Sequence, residues 1–156
     1  HGLHTNGFSF IRHIFKVRNI HMNDNDPFMK WISQPHKSYY NDVKLIRDAG
    51  IDICGLCHIT GGGLIDNPPR ITPHHLKIEL QKTTLMNDHF KWIQTQANVN
   101  DYELYRSLNC GIGMMIVISP SQLSLFEKIL YEHKIDYKKI GVLKNRTLDE
   151  EQVQFV

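Results

Sequence analysis

The chain has 156 residues, which is the usual length of a single globular domain. Eighteen lysines and arginines against sixteen aspartates and glutamates give a net charge of +2, which argues against the strongly basic surface of a nucleic-acid or anionic-membrane binder. Hydrophobic residues make up 41% and charged residues 22%, so the chain is predicted to fold rather than to be disordered.

Membrane and secretory signals are missing from the sequence. The longest apolar stretch, residues 111–119, has about half the length that a membrane-spanning helix needs. The first residues lack the charged and apolar regions of a signal peptide. Three cysteines do not form a disulfide framework, and the odd number indicates a reducing compartment. We therefore expect a cytoplasmic protein.

Apolar spacing along the first fifty residues predicts two helices. Residues 8–18 carry one apolar face, and Asn6 is the expected N-cap. The polar run 23–27 predicts a surface loop. A second helix is expected over 40–49, because Gly50 follows as a residue that commonly ends helices.

The middle of the chain begins with a strand. Residues 51–59 alternate in polarity and end at the three glycines 61–63, which predicts a buried strand that enters a glycine loop. Prolines within 68–73 exclude a regular helix. A short strand is expected over 78–80, and apolar spacing predicts a helix over 90–98.

The last third predicts two further helices and three strands. Asn100 begins a capping box for a helix over 102–108. Ser119 is the expected N-cap of a helix that reaches His133. The strands are expected over 111–118, 137–143 and 153–156. Intermixed helices and strands predict an α+β domain with α/β/α layers, in which a mixed β-sheet is flanked by helices.

A C-x-x-C-H pattern begins at Cys54, and this pattern is typical of covalent haem attachment or of metal binding. Covalent haem attachment of this type needs export, and the sequence has no export signal. Cys54 and Cys57 are three residues apart on a predicted strand, so their side chains should face opposite sides of the sheet. We expect both cysteines, and Cys110, to be structural, and we expect the chain to bind no metal.

The glycine loop over 60–63 is a stronger functional signal. Consecutive glycines allow backbone N–H groups to approach an anion, and Thr60 adds a hydroxyl. His58 places a titratable ring at the entrance of the loop. The pattern is neither a Walker loop nor a dinucleotide fingerprint, and a structural turn is the alternative.

Two further loops have a similar character. The first loop, residues 2–7, combines His4, Thr5 and Asn6 with glycines directly before a predicted helix, where N–H groups would favour an anion. A simple helix cap is the alternative. Residues 109–114 lead into the predicted core strand, and we expect their glycines to permit close backbone packing.

These three loops, in this order, resemble the aminoimidazole ribonucleotide synthetases, also called phosphoribosylformylglycinamidine cyclo-ligases. Residues 2–9 (GLHTNGFS) are similar to the family's G-L-H-S-N-G-Y-S loop. Residues 58–73 (HITGGGLIDNPPRITP) resemble its H-I-T-G-G-G segment, with Asp66 for the usual Glu. Residues 90–117 resemble a stretch that ends in N-x-G-I-G-M, and residues 35–43 are weakly similar to P-T-R-I-Y-V-K-P-V.

The resemblance implies one half of a two-domain enzyme. The whole chain, 1–156, is similar to the C-terminal domain of the family, and the N-terminal domain, which would hold ATP and the Mg²⁺ ligands, has no counterpart here. The chain does not begin with Met, and we expect a fragment of a longer protein that is inactive alone. The implied partners are its own N-terminal domain, a second copy in a homodimer, and the substrate formylglycinamidine ribonucleotide.

The resemblance also implies a set of site residues. His4 and His58 are the expected catalytic residues, for proton transfer or for stabilising an oxyanion. The residues expected to bind substrate or nucleotide phosphate are Thr5, Asn6, Gly7, Thr60, Gly61, Gly62, Gly63, Asn67 and Arg70. The remaining histidines receive no functional role; these are His1, His13, His21, His36, His74, His75, His89 and His133.

Two alternatives remain at this point. The first is another ATP-using relative of the formylglycinamidine synthase, selenophosphate synthetase or thiamine-phosphate kinase type. The second is a non-enzymatic haem or metal-binding module built on the C-x-x-C-H pattern, which would show a Soret band or stoichiometric metal.

Overall fold

Helices and strands alternate along the computed structural model, which describes residues 2–4 and 7–156. The helices within those ranges are α1 (Phe8–Arg18), α2 (Pro27–Ile32), α3 (Tyr40–Asp48), α4 (Gly63–Asp66), α5 (Asp88–Ala97), α6 (Asp101–Ser107) and α7 (Leu123–Glu132). The strands are β1 (Ile53–His58), β2 (Leu76–Leu80), β3 (Met114–Ile118), β4 (Gly141–Asn145) and β5 (Val153–Phe155). Short 3₁₀ turns cover 68–70, 82–84 and 120–122.

The strands form two small sheets. β1 and β3 pair antiparallel, with His58 opposite Met114 at one end of the ladder. β2 is the centre of a three-stranded sheet, antiparallel to β4 and parallel to β5. The predicted α+β class is therefore confirmed, and the β2 sheet is mixed as expected.

The expectation of one continuous sheet needs correction. After β1 the chain passes through the glycine turn into α4, which packs against α6. The chain therefore does not return directly to the edge of the β1–β3 pair. β2 consequently begins in a different part of the molecule and pairs with β4 and β5. A tight turn and a four-residue helix thus separate the two sheets.

Two hydrophobic clusters hold these elements together. The larger one joins α1, α5 and α6 to the β2 sheet, and Leu80, Phe90 and Leu104 are fully buried within it. The smaller one contains Ile46 of α3 and Leu130 of α7, with partly buried side chains of β1 and β3 packed against it. The β1–β3 pair therefore lies between two clusters, and this fixes the position of its ends.

Several helices begin at an Asn or Asp whose side chain caps the first turn. Asn100 accepts a hydrogen bond from the Glu103 N–H at 2.9 Å, which confirms the predicted start of α6. Asn98, with φ of 54°, ends α5 in the left-handed conformation that asparagine tolerates. The predicted limits of both helices agree with the structure to within two residues.

Helix α2 was not predicted from the sequence. The residues 23–27 were expected to form only a loop, but the helix begins at Pro27, and Asp26 accepts a hydrogen bond from the Phe28 N–H at 2.8 Å. An Asp N-cap followed by Pro at the first helical position is a standard helix start, so the signal was present. Phe28 and Ile32 are buried and attach α2 to the core.

Two predicted helix caps are wrong in detail. Gly7 occupies the N-cap position of α1 without a side-chain cap, and the predicted cap Asn6 lies outside the described residues. A 3₁₀ turn separates Ser119 from α7, and the Ser119 side chain does not cap it. Gln122 instead accepts a hydrogen bond from the Asp52 N–H and donates one to the Gly50 carbonyl, which ties α7 to the start of β1.

None of the helices within the described ranges has the length and apolar character needed to cross a membrane.

The burial of Leu80 gives a test of this core. Leu80 on the central strand β2 is fully buried, whereas Leu148 is fully exposed. We expect Leu80→Ala to lower the free energy of unfolding by about 2–5 kcal/mol, because the substitution leaves a cavity. Leu148→Ala should change it by about 0.5 kcal/mol or less. Urea denaturation followed by circular dichroism measures both, and equal effects would contradict the described packing.

Candidate functional site

The loop before α1 meets the end of β1 through one histidine. His4 is buried, and its Nδ1 lies 2.5 Å from the carbonyl oxygen of Ile59. Because a carbonyl oxygen only accepts hydrogen bonds, Nδ1 carries the proton and donates it. The other ring nitrogen, Nε2, therefore has an available lone pair. The His4 ring centroid lies 5.4 Å from that of His58, so the structure brings together the two histidines predicted from the sequence.

A third histidine joins this pair. His36, in the loop between α2 and α3, has its ring centroid 4.2 Å from that of His4. Its Nε2 lies 3.1 Å from Nε2 of His58. We call these three residues, His4, His36 and His58, the histidine cluster. Their imidazole nitrogens lie within 4.8 Å of one another.

Sequence reasoning gave His36 no role. Its position follows from the fold, because the loop from α2 to α3 crosses the end of β1. No motif spacing relates positions 4, 36 and 58, so the sequence contains no direct signal for this contact.

Burial controls the charge of the cluster. It lowers the pKa of His4 to about 4, and this outweighs the hydrogen bond to Ile59, which favours the protonated ring. Burial also lowers the pKa of His58 below its usual value, with a further contribution from the adjacent His36. His4 is therefore neutral at pH 7, and it can accept a proton or a hydrogen bond at Nε2.

Tyr39 forms one wall of the cluster. Its ring packs edge-on against His36 and His58, with centroids 6.2 and 5.9 Å away. Burial raises the pKa of Tyr39 to about 12, so the phenol stays protonated at neutral pH. Gly113 provides the space, because a Cβ there would overlap the Tyr39 hydroxyl. The close packing expected of the 109–114 glycines is thus present, and it contributes to the cluster.

The histidine cluster borders an open cavity of about 570 Å³. His36, His58, Leu56 and Met114 contribute to its wall, and the remaining lining residues belong to the start and outer face of α3: Lys37, Ser38, Tyr39, Tyr40, Val43, Lys44 and Arg47. The three cations have acidic neighbours. Lys37 Nζ lies 2.7 Å from Asp42, and Lys44 and Arg47 both contact Asp48. Two carboxylates thus pair with three cations, which leaves the wall with one excess positive charge.

Asn67 shapes the glycine segment that follows His58. Its Oδ1 accepts a hydrogen bond from the Thr60 N–H at 2.6 Å, and its Nδ2 donates one to the Gly61 carbonyl at 2.8 Å. The side chain is buried, with an exposed fraction of 1%. Both ends of the Asn67 amide are therefore used to hold the loop. Its predicted role in binding substrate stays a prediction.

Gly63 closes the same loop against α6. Its φ is +57°, and a Cβ at this position would overlap the Tyr105 carbonyl oxygen. The Gly63 N–H donates to Thr60 O at 2.9 Å. Within the part of the chain that the structure describes, the N–H groups of Gly61 and Gly62 have no protein acceptor. These two groups are the donors that the loop can offer to an anion.

Arg70 interacts electrostatically with Cys57 of β1. It ends the 3₁₀ turn after Asn67, and it is exposed. Its charge acts on the Cys57 thiol, where it partly offsets the rise in pKa caused by burial. Since Cys57 and His58 are neighbours on a strand, their side chains point to opposite faces. The predicted role of Arg70 in binding phosphate stays a prediction.

The cysteines behave as the strand geometry predicts. Cys54 is exposed and Cys57 is buried, and both lie within β1, which extends to His58. Neither cysteine belongs to the one group of three potential metal ligands found among the described residues. The C-x-x-C-H pattern is therefore not a preformed metal site.

The first loop is described only in part. Gly7 is buried at the start of α1, and its N–H donates to the His4 carbonyl at 2.8 Å. Thr5 and Asn6, which were predicted to bind phosphate, lie outside the described residues. Asn109 donates from Nδ2 to the Gly2 carbonyl at 3.1 Å, which fixes the loop to the segment before β3.

Comparison with known proteins agrees with this arrangement of loops. The family model described as "AIR synthase related protein, C-terminal domain" matches residues 1–154. The chain belongs to this family. The resemblance noted in the three loops is therefore confirmed.

Curated relatives of this AIR synthase C-terminal domain are named phosphoribosylformylglycinamidine cyclo-ligase. The protein of Methylobacillus flagellatus is 30% identical over 159 residues, which cover 99% of this chain and 46% of the relative. That of Nitrosospira multiformis is 34% identical over 154 residues, covering 96% of this chain and 43% of the relative. The chain thus spans less than half the length of these relatives.

The position of Gly63 gives a test of the loop. We expect Gly63→Ala to destabilise the domain by about 2–5 kcal/mol, because the backbone strain adds to the overlap with Tyr105. Gly50→Ala is the matched control: its φ is +86°, but nothing lies within 4 Å of the added Cβ. The control should cost only about 1–2 kcal/mol. Chemical denaturation compares the two, and equal losses would contradict the described contact.

The hydrogen bonds of Asn67 give a second test. We expect Asn67→Ala to cost about 1–3 kcal/mol, because the partly buried N–H of Thr60 and the Gly61 carbonyl lose their partner. Asn23→Ala removes an exposed loop hydrogen bond of the same kind and should cost about 0.5 kcal/mol or less. Hydrogen exchange at the Thr60 amide should become faster in Asn67→Ala alone. Unchanged protection of that amide would show that Asn67 does not hold the loop.

Proposed function

We propose that this chain forms the C-terminal half of a phosphoribosylformylglycinamidine cyclo-ligase, a ligase of purine biosynthesis. The family membership and the names of the curated relatives support this proposal. The observation that carries it is the convergence of the two family loops. His4 of the first loop donates a hydrogen bond to Ile59, next to His58 and the glycine segment.

The proposed reaction closes the imidazole ring of aminoimidazole ribonucleotide. The γ-phosphoryl group of ATP passes to the formyl oxygen of formylglycinamidine ribonucleotide, which leaves ADP. An amidine nitrogen then attacks the formyl carbon and forms the new C–N bond. The C–O bond breaks, and phosphate and a proton leave. Such a reaction depends mainly on positioning and on electrostatic stabilisation.

His4 and His58 are proposed to act on the reacting atoms. A neutral His4 with its lone pair on Nε2 is suited to accept the proton that the amidine nitrogen loses. His58 is exposed at the cavity, where it can donate a hydrogen bond to the oxygen that gains charge. The assignment of each ring to its step belongs to the proposal.

Backbone groups are proposed to hold the phosphates. The N–H groups of Gly61 and Gly62 have no protein acceptor among residues 2–4 and 7–156, and Thr60 adds a hydroxyl. Asn67 and Gly63 would act by fixing the shape of this loop. The further proposed phosphate ligands are Thr5, Asn6, Gly7 and Arg70.

ATP and Mg²⁺ are proposed to depend on a second domain. Mg²⁺ prefers oxygen ligands, whereas the group of three potential ligands among residues 2–4 and 7–156 consists of imidazoles. These residues do not fit Mg²⁺, so carboxylates of an N-terminal domain would have to supply its ligands. We further propose that the full protein is a cytoplasmic homodimer and that this chain alone is inactive.

A chimera tests the proposed function. This chain would replace the matching C-terminal segment of the Nitrosospira multiformis cyclo-ligase, and release of ADP would be measured with formylglycinamidine ribonucleotide. We expect turnover within about tenfold of the parent enzyme, because substrate positioning by the loops is retained. The 156-residue chain alone should show none. Selenide and thiamine phosphate should not support ADP release.

Two variants of the chimera sharpen this test. His58→Gln should lower kcat by about 100-fold or more if the ring acts on the reacting atoms. His133→Gln, at an exposed position after α7, should have no effect. A folded chimera without turnover, or full turnover by the chain alone, would contradict the proposal.

A further inference from the structure

The histidine cluster has a property that the ring-closure reaction does not require. Its three imidazoles come from separate parts of the chain: His4 from the first loop, His36 from the α2–α3 loop and His58 from the end of β1. Ring nitrogens of all three lie within 4.8 Å of one another. Three imidazoles, two of which lie at hydrogen-bond distance from each other, together match the ligands of a transition metal ion.

We propose that His4, His36 and His58 bind one divalent transition metal ion of the zinc type. This site shares His4 and His58 with the proposed ring closure, so a bound ion would occupy the lone pairs that this step uses. It is distinct from the site of the Mg²⁺ that ATP needs. Tetrahedral Zn²⁺ holds imidazole nitrogens at about 2.0–2.1 Å, which places two such nitrogens roughly 3.3 Å apart. The Nε2 atoms of His36 and His58 are 3.1 Å apart, which is close to that separation. A ring nitrogen of His4 lies within 4.8 Å of both, so binding requires it to approach more closely.

His4 has the arrangement of a metal ligand before any ion is present. Its Nδ1 donates to the Ile59 carbonyl, and this fixes both the tautomer and the orientation of the ring. Metal-binding histidines commonly donate their second ring nitrogen to a carbonyl or a carboxylate in this way. The Nε2 lone pair of His4 is therefore directed by the backbone.

The surroundings leave an entry path and an open coordination position. His4 is buried, but His36 and His58 are exposed and line the cavity of about 570 Å³. An ion can thus enter from the cavity, and a water molecule or an anion can complete its coordination. Three protein ligands with one open position are typical of zinc ions that bind exchangeable ligands.

Nearby charges do not prevent binding of a cation. The closest basic neighbour in sequence, Lys37, forms an ion pair with Asp42 at 2.7 Å. Tyr39, which packs on His36 and His58, remains a neutral phenol at pH 7. Three neutral imidazoles leave the full charge of the ion in place, so an anionic fourth ligand would be favoured.

Zinc binding by the 156-residue chain tests the proposal without any activity measurement. A chromogenic zinc chelator would compete with the metal-free protein at pH 7.5. We expect one Zn²⁺ per chain. His36→Gln, which removes one ligand at an exposed position, should weaken binding at least about tenfold. His13→Gln, an exposed position on α1, is the matched control and should bind as the parent does.

Cobalt provides a geometric readout of the same site. Four-coordinate Co²⁺ has strong visible d–d absorption, and we expect it with the parent chain and with His13→Gln, but not with His36→Gln. Mg²⁺ should not compete with Co²⁺, because it prefers oxygen ligands. A thermal melt with and without Zn²⁺ should show a higher Tm only for the two proteins that bind it.

Several outcomes would overturn the site. These are the absence of stoichiometric Zn²⁺, equal affinity in His36→Gln and the parent, or equal weakening by His13→Gln. Circular dichroism of the metal-free variants checks their folding. Should His36→Gln not fold, His58→Gln serves the same comparison, since His58 is also exposed. Turnover of the chimera has no bearing on these results, so the two proposals fail separately.

Discussion

The hydrogen bond from His4 Nδ1 to the Ile59 carbonyl holds the site together. It joins a loop at the beginning of the chain to the residue that follows β1, 55 positions later. The His4 ring is buried where it makes this hydrogen bond, and burial lowers its pKa so that it is neutral at pH 7. A protonated ring would place a charge beside His36 and His58 with little solvent to stabilise it. The position and the tautomer of this ring therefore depend on one backbone carbonyl, whereas its neutral charge depends on burial.

The shape of the glycine segment depends on a second set of contacts, and these are made by uncharged groups. Gly63 fits only because it lacks a Cβ where α6 presents the Tyr105 carbonyl, and Asn67 fills both hydrogen-bonding needs at the start of the loop. The loop is thus shaped by packing against α6 and by one amide. Among the described residues, this shape leaves the N–H groups of Gly61 and Gly62 without a protein acceptor. Ligand binding would therefore require little rearrangement.

The sequence predicts the local elements well because their causes are local. The Asn100 cap, the left-handed Asn98 and the alternation along β1 are all properties of neighbouring residues, and the structure contains them. The family resemblance also singled out His4 and His58, and the structure places their ring centroids 5.4 Å apart. The division into two sheets was missed, because strand pairing depends on where the chain goes after a turn. Helix α2 was missed although Asp26 and Pro27 signalled its start.

His36 shows where sequence reasoning reached its limit. Nothing local distinguishes it from the other histidines, and its neighbours in the sequence are an exposed Pro35 and the paired Lys37. Only the crossing of the α2–α3 loop over the end of β1 brings it to His4 and His58. This contact depends on the relative positions of three separate segments in the fold. The spacing of residues along the sequence does not contain that information.

The net charge of +2 also has a clearer meaning in the folded chain. The three cations around the cavity contact Asp42 and Asp48, so this region keeps only one excess positive charge. Electrostatic attraction over long distances would therefore contribute little to ligand capture here. What remains are short-range donors and lone pairs: the N–H groups of the glycine segment on one side of His58, and imidazole nitrogens on the other.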